Sequence, residues 1–599
     1  MEAMEQIAQW HAEANEEFTA IKRRLNRLVF VRIFIFLCFS AAVFALRGSG
    51  SWPLLPLVLG IILFLLAVKA HAKLREKHAL CKAFMELCSE ELDCAQGKWR
   101  DRKGGEEYSD AAHPYASDLN VFGKHSLFQK LNRCQRPTAG SMLAAWLKAP
   151  IQKVAEIERE RDIIKDFARQ PKWSLHYLAI ARVGASDSDE KEVANKASSA
   201  NGYEGPRAGL RPVISYLLPI LSIGCTLAFA LDAIGWNQYL LCMMAAGIPA
   251  MLFLRKHLVY FHSFMQDHAR LNGVEAMLTM IRERSFDESP FAERLKALDY
   301  EQIETALGDL KRIAGAVDSR GNIFVGIALN LLLFWDFQVA YRIADWRREY
   351  EDKIAQWLKL AAEVEALQSL ALYRFTHPDN EEVQWTEDWG MEASEAWHPL
   401  MDGEVVGNPI DLSGEIRFAI ITGANMAGKS TYLRMTGLIA LMAMRGLPVP
   451  ARGLRLSPMR IHTSMLTADS LGESASFFFN ELKRLRAIAD ALESGERHLV
   501  ILDEILKGTN SVDKAEGSKL FLRKLLGLPA KGLIATHDLS LCTAEEDHPG
   551  KISNFRFEMD FKEGKASFDY QLRPGVCQNM NAAFLLREMG LTEATTKPG

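Results

Sequence analysis

The chain has 599 residues, 49% of them hydrophobic and 24% charged, with a formal charge of −4 and a pI near 6.5. That length allows three or four domains with large cores, and the near-neutral balance excludes a globally basic nucleic-acid binder, leaving only a local patch for DNA. Nine cysteines, an odd total with no CxxC pair, argue against a structural zinc or a disulfide framework and fit a reducing compartment.

In chain order, the first region (1–80) carries two apolar runs. Residues 28–46 are interrupted only by Arg32, and residues 52–68 follow after the tight turn LRGSGSW. Each approaches the length of about 20 residues that spans the hydrocarbon of a bilayer. A secretory signal is excluded, because the run starts late and a second one follows at once. Residues 81–211 read as the first part of a helical core or lever. They include the helical pattern 152–169 and a small, polar, flexible loop, 184–211.

A second hairpin is expected over 212–254, from runs 212–231 and 239–254 joined by DAIGWNQ. Basic residues flank the outer ends of both hairpins: Lys22, Arg23, Arg24 and Arg27; Lys69, Lys73, Arg75 and Lys77; Arg207 and Arg211; Arg255 and Lys256. Only Arg47 lies in a turn. The positive-inside tendency therefore predicts four transmembrane helices in the cytoplasmic (inner) membrane, with the N-terminus and the C-terminal domain in the cytoplasm. A fifth apolar run, 323–335, is short enough that a buried soluble helix is expected. It lies in a helical lever region, 255–395, whose segment 336–373 is long enough to act as a strut.

From 396 to 599 short β-type runs alternate with helices. The strand pattern 416–422 runs into Gly423, Ala424, Asn425, Met426, Ala427, Gly428, Lys429 and Ser430, and the helix begins at Thr431. This is GxxxxGK[ST] between a strand and a helix, so the backbone N–H groups close around phosphates at a helix N-terminus. Lys429 is expected to reach the β- and γ-phosphates of ATP, and Ser430 to hold Mg2+. Downstream, HLVILDE ends in Asp503, expected to orient the magnesium shell, and Glu504, expected to act as general base. A further strand over 532–535 ends in THD, placing His537 at a strand's C-terminal edge as a γ-phosphate sensor.

GANMAGKSTYLR, DSLGESASFFFNEL, LVILDEILKGTNSVD and ATHD resemble, in order and spacing, the ATPase domain of the MutS mismatch-repair family, as does His398-Pro399-Leu400. Residues 123–151 are similar to the start of that family's core and lever. The resemblance implies an α/β P-loop NTPase domain of ABC/MutS-like type, C-terminal to a mostly α-helical lever and core region, into which the apolar runs set the two predicted transmembrane hairpins. It further implies Asn425 at the γ-phosphate, Asn408 in the nucleotide site, and Ser476 reaching the partner's ATP across a homodimer, with 508–510 near that interface.

The departures are also specific. The first hairpin stands where the family's mismatch-reading domain belongs, and the second lies broadly where its DNA clamp is inserted. Val405 replaces an aromatic expected to stack on adenine, Ala475 replaces an arginine, and the last family-like residues, 589–591, precede the family's helix-turn-helix. The expected function is an ATP-binding and hydrolysing MutS-like dimer that engages DNA in a repair or recombination context at the membrane, without a mismatch reader. The alternative is an ATP-driven mechanical membrane protein without a DNA role. A soluble protein with both hairpins as core is the third reading.

Overall fold

The computed structural model describes residues 2–46, 54–185, 210–271, 273–286, 288–296, 298–321, 323–403, 405–424, 426–465, 477–507, 510–562 and 565–577. Most of the loop expected at 184–211 lies outside them, as do the first turn and residues 578–599.

The first two helices, α1 (Glu2–Ala45) and α2 (Leu54–Ala95), run antiparallel. Phe18 meets His78 with ring centroids 4.5 Å apart, and the Arg32 guanidinium sits 5.3 Å from the Phe64 ring centre. A Cβ at Gly60 would lie 2.6 Å from Phe39, so this close crossing needs glycine. The lower half of the pair is core: Ile7, Ala14, Phe84 and Leu87 pack with Leu175, Leu178 and Leu372. Higher up the same helices turn large apolar side chains outward, among them Phe30 (72% exposed) and Phe34 (66%).

Four shorter helices follow: α3 (Leu127–Leu131), α4 (Pro137–Lys148), α5 (Val154–Ala168) and α6 (Pro171–Gly184). The second hairpin comprises α7 (Leu218–Ala230) and α8 (Trp236–Leu271), bent by 42° beyond Pro249. Among the described residues, two helices are long and apolar enough to cross a membrane, Glu2–Ala45 and Val213–Ala230, or up to four if each bent pair is one span. The helices α2 and α8 pass through positions 80 and 254 unbroken.

The fifth apolar run is helical: it forms α10 (Ile323–Leu333), after α9 (Tyr300–Asp318), and packs on the second hairpin. Ser222 Oγ donates to the Leu331 carbonyl at 2.6 Å, while Ile327 stays 55% exposed. At eleven residues it is too short to cross a bilayer by itself. Phe334 closes it in the left-handed region (φ 52°), and the chain turns 82° into α11 (Trp335–Thr376).

Forty-two residues long, α11 spans about 60 Å. Its first turns hold the second hairpin: Gln338 donates to the Ser215 carbonyl (2.8 Å), Asp345 pairs with Arg211 (2.9 Å), and Phe337 meets His257 edge-on. Its last turns hold the core, with Glu365 accepting the N–H groups of Gln135 and Arg136, and Ser369 Oγ that of Arg133. One helix therefore bridges the hairpin and the core on which the α/β domain sits.

That domain has two sheets. In the small one β1 (Gln384–Trp385), β6 (Arg455–Leu456), β2 (Met391–Ala396) and β3 (Asn408–Asp411) are neighbours, with β5 (Ala451–Arg452) paired to β2. The main sheet has the order β11 (Lys565–Pro574), β10 (Ile552–Lys562), β4 (Phe418–Thr422), β9 (Ala530–Ala535), β8 (His498–Asp503), β7 (Arg460–Ser464). All its pairs are parallel except β10–β11. Buried-strand sequences such as FAIIT and HLVIL fit the interior of such a sheet, covered on both faces. Its helices are α12 (Lys429–Ala443), α13 (Phe477–Leu492) and α14 (Ser511–Leu526).

Buried polar contacts seat this domain on the core. Asp118, fully buried, accepts from Thr463 Oγ1 (2.7 Å), the Met465 N–H (3.0 Å) and Arg484 (2.5 Å). Glu160 pairs with Arg445 at 2.8 Å, and Trp99 Nε1 donates to Asp402 at 2.9 Å.

Candidate nucleotide site

The site lies where β4, β8 and β9 end, the crevice side of a parallel sheet. After Thr422 the backbone enters a turn that glycine makes possible at both ends. Gly423 has φ 151° and Gly428 φ 106°, and a Cβ at Gly423 would lie 2.8 Å from the Phe557 carbonyl oxygen. The turn delivers the chain into α12, whose first N–H groups have no partner within the helix and carry its positive dipole end.

Lys429 is buried, and its Nζ donates to the carbonyls of Gly423 (2.8 Å) and Ala424 (3.0 Å), which arch it across the loop. Burial pushes its pKa down, against the opposing charges of Asp503 and Glu504. Ser430 Oγ donates to Asp503 Oδ2 at 2.6 Å, joining helix start to strand end. Next along, Glu504 Oε1 lies 3.0 Å from His537 Nε2, a hydrogen bond that holds the Glu504 carboxyl down at about 2. His537 Nε2 is also 3.2 Å from Lys429 Nζ.

Glu504 and Leu506 both have positive φ (54° and 60°), an uncommon conformation for side chains of this size. Glu481 of α13 holds the turn: its carboxylate accepts the N–H groups of Leu506 (2.6 Å) and Lys507 (3.0 Å). In the sequence Glu481 is only one residue within the stretch DSLGESASFFFNEL. Tyr570 of β11 was also missed, having no local signature. Its ring edge would be 3.4 Å from a Cβ on Gly428, and the residue is 47% exposed beside the loop.

Lys429, Ser430, Asp503, Glu504 and His537, separate in sequence, are thus brought together. Gly423, Ala424, Met426, Ala427, Gly428 and Thr431 form the loop and helix start around them, with Met426 pointing outward (86% exposed). Asn408 is held elsewhere in the wall: it donates to the Tyr570 carbonyl (3.0 Å) and accepts the Leu572 N–H (2.7 Å), clamping β3 to β11. Asn425, Ser476, Ala475, Gly508 and Thr509 lie outside the described residues, whereas Asn510 caps α14 by accepting the Asp513 N–H (2.9 Å).

The donor set fits Mg2+ and a nucleotide triphosphate. Ser430 and Asp503 present hard oxygen atoms side by side, as Mg2+ takes when phosphates and water complete its shell. Among the described residues no three His, Cys, Asp or Glu side chains gather into a dedicated metal cage, and all nine cysteines are free.

Residues 419–588 match the family MutS domain V. Among similar proteins are the DNA mismatch repair proteins MutS of Chloroflexus aurantiacus (31% identical over 247 residues, 39% of this chain and 25% of the relative) and Thermotoga neapolitana (30% over 244 residues, 39% and 29%). A DNA mismatch repair protein of Arabidopsis thaliana is 28% identical over 243 residues, 39% of this chain and 30% of its own. The chain thus spans less than a third of the length of these relatives.

Proposed function

Starting from a chain whose C-terminal part belongs to the MutS family, we propose that it binds and hydrolyses ATP with Mg2+ as a homodimer closed through its ATPase domains. The two hairpins hold it in the cytoplasmic membrane, multi-pass, with the N-terminus and ATPase domain on the cytoplasmic side. The matched part, residues 419–588, contains the phosphate loop, Asp503, Glu504 and His537, the residue set that suits ATP with Mg2+. One observation carries the reading: Lys429, Ser430–Asp503 and Glu504–His537 converge at one end of one sheet.

Bound Mg2+-ATP supplies the electrophilic phosphorus and neutralises charge on its phosphate oxygens. The protein's part is positioning and proton handling. Lys429 and the α12 N-terminus bind the phosphates, and Ser430 with Asp503 orients the metal. Glu504, ionised at neutral pH, accepts the proton of the attacking water on a carboxylate oxygen, and His537 fixes its orientation. Lys429→Ala is expected to abolish ATP turnover; full turnover in that variant would sink the site assignment.

Dimerisation is supported by exposed apolar side chains around the site: Met426 at the loop, Phe479 at the start of α13 and Val512 at the start of α14. The relatives carry the name DNA mismatch repair protein, and on that basis this chain engages DNA in a repair or recombination context. A titration showing no ATP-dependent affinity for duplex, mismatched or branched DNA across a salt series would remove that half.

A second reading has α11 as its motivation. The helix that grips the second hairpin at one end and the core at the other suits an ATP-driven device that moves the hairpin, with no DNA role. Unchanged activity after exchanging residues 212–254 for an unrelated transmembrane pair would count against it.

A further inference from the structure

The basic flanks that orient the first hairpin also form one continuous surface. Below its apolar band, α1 presents Lys22, Arg23, Arg24 and Arg27, and α2 presents Lys69, Lys73, Arg75 and Lys77. The helix register brings both sets to one level, bracketed by Phe18–His78 on one side and Arg32–Phe64 on the other. All eight side chains are exposed, and among the described residues none forms an ion pair with a carboxylate. Glu76 is the only acid within 22–27 and 69–77.

Lower on the hairpin, cations are matched: Arg182 meets Glu86 and Glu90 on α2, Lys82 pairs with Glu86, and Lys172 meets Glu13 on α1, one helical stretch below the belt. Along this hairpin, matching stops at the belt. It also stops where outward side chains turn apolar: Val29, Phe30, Val31, Ile33 and Phe34 follow directly on α1, and Val58, Leu59, Ile62, Leu63 and Leu66 precede it on α2. A ring of unmatched cations at the foot of an outward apolar band has the layout of a headgroup layer beneath hydrocarbon.

We propose that this belt is a binding surface for anionic phospholipid headgroups, which gather around the first hairpin in preference to zwitterionic ones. The inference rests on the membrane reading above and adds the lipid class. The shared chemistry is a phosphate oxyanion met by guanidinium and ammonium groups; the apolar band directly above selects the phosphate that carries acyl chains over one free in solution.

The test uses the full chain in vesicles of one part phosphatidylglycerol to four parts phosphatidylcholine, with spin-labelled lipids of each kind reporting those in contact with protein. Labelled phosphatidylglycerol should associate roughly five-fold more strongly than labelled phosphatidylcholine, falling toward parity at about 1 M salt. Neutralising either half (K22Q/R23Q/R24Q/R27Q or K69Q/K73Q/R75Q/K77Q) should remove much of the preference, while R23K/R24K/R27K keeps it. Equal association of the two lipids with the unmodified chain overturns the proposal, as does a preference that survives neutralisation of both halves. Displacement of the labelled lipid by inorganic phosphate, beyond the effect of chloride at equal ionic strength, would reassign the belt to free phosphate. A chain that stays out of the vesicles altogether overturns the membrane reading, a separate outcome from insertion without lipid preference.

Discussion

His537 Nε2 lies 3.0 Å from Glu504 Oε1 and 3.2 Å from Lys429 Nζ, so one nitrogen faces a carboxylate and an ammonium together. If Nε2 lacked a proton it would accept from Lys429 but set a lone pair against an ionised carboxylate. With the proton on Nε2, His537 donates to Glu504, and Lys429 keeps the Gly423 and Ala424 carbonyls as acceptors. The second arrangement gives the Glu504 carboxylate a donor and agrees with its low pKa. His537 is then a positioning residue: His537→Ala should lower kcat by about ten-fold or more and leave the ATP KM within a few-fold, read by steady-state ATP hydrolysis.

Tyr570 stands beside Gly428 where Val405 offers no ring. An aromatic face at the loop's edge suits stacking on a nucleotide base, worth roughly 1–3 kcal/mol. Tyr570→Ala should therefore raise the ATP KM about five-fold or more with kcat little changed, and Tyr570→Phe should restore it. An unchanged KM would make the ring a packing residue only.

Asp118 ties the core to β7 and α13 from a fully buried position. Removing its carboxylate leaves Arg484 without that partner, a change of about 3–5 kcal/mol. Asp118→Ala should lower the thermal midpoint markedly, whereas Lys153→Ala, which breaks an exposed pair with Glu156, should shift it by little.

Acid stability has a buried source at Glu91. Burial alone would raise its pKa, but the guanidiniums of Arg102 and Arg133, at 2.6 and 2.9 Å, outweigh that and bring it from 4.5 to about 2. A group depressed on folding stabilises fully above its unfolded value and loses that stabilisation as pH falls through its folded one. Glu91 thus contributes about 3 kcal/mol at neutral pH, lost between pH 4.5 and about 2. Glu91→Gln should lower the melting temperature at pH 7 and flatten its decline across that window.

What could be read in advance was contiguous. GANMAGKS, HLVILDE and ATHD each place their functional residues next to a strand end, so spacing alone located Lys429, Asp503, Glu504 and His537. The supports of those residues come from far along the chain: Glu481 caps the turn at Leu506, Tyr570 reaches Gly428, and Asp118 joins Arg484 across more than 300 residues. No local pattern encodes such pairings. The run 323–335 was legible as a helix, but not its neighbours. Length separates a full span from a soluble helix, but carries no information on a short helix that leans on a hairpin and ends at Phe334.

Membrane attachment has a direct biochemical reading. With Phe30, Phe34, Leu241 and Met251 all more than 60% exposed, the native chain should stay with the membrane pellet through alkaline carbonate washing and leave it only in detergent. Recovery in the wash would return both hairpins to the soluble reading.

The most direct test of the nucleotide site is the turnover of Glu504→Gln beside its ATP binding. Glutamine keeps the shape and can still accept from His537, but takes no proton from water. Binding of Mg2+-ATP near one per chain, with turnover reduced about a hundred-fold or more, is the expected result. Turnover within a few-fold of the unmodified protein would contradict the placement of the general base at Glu504.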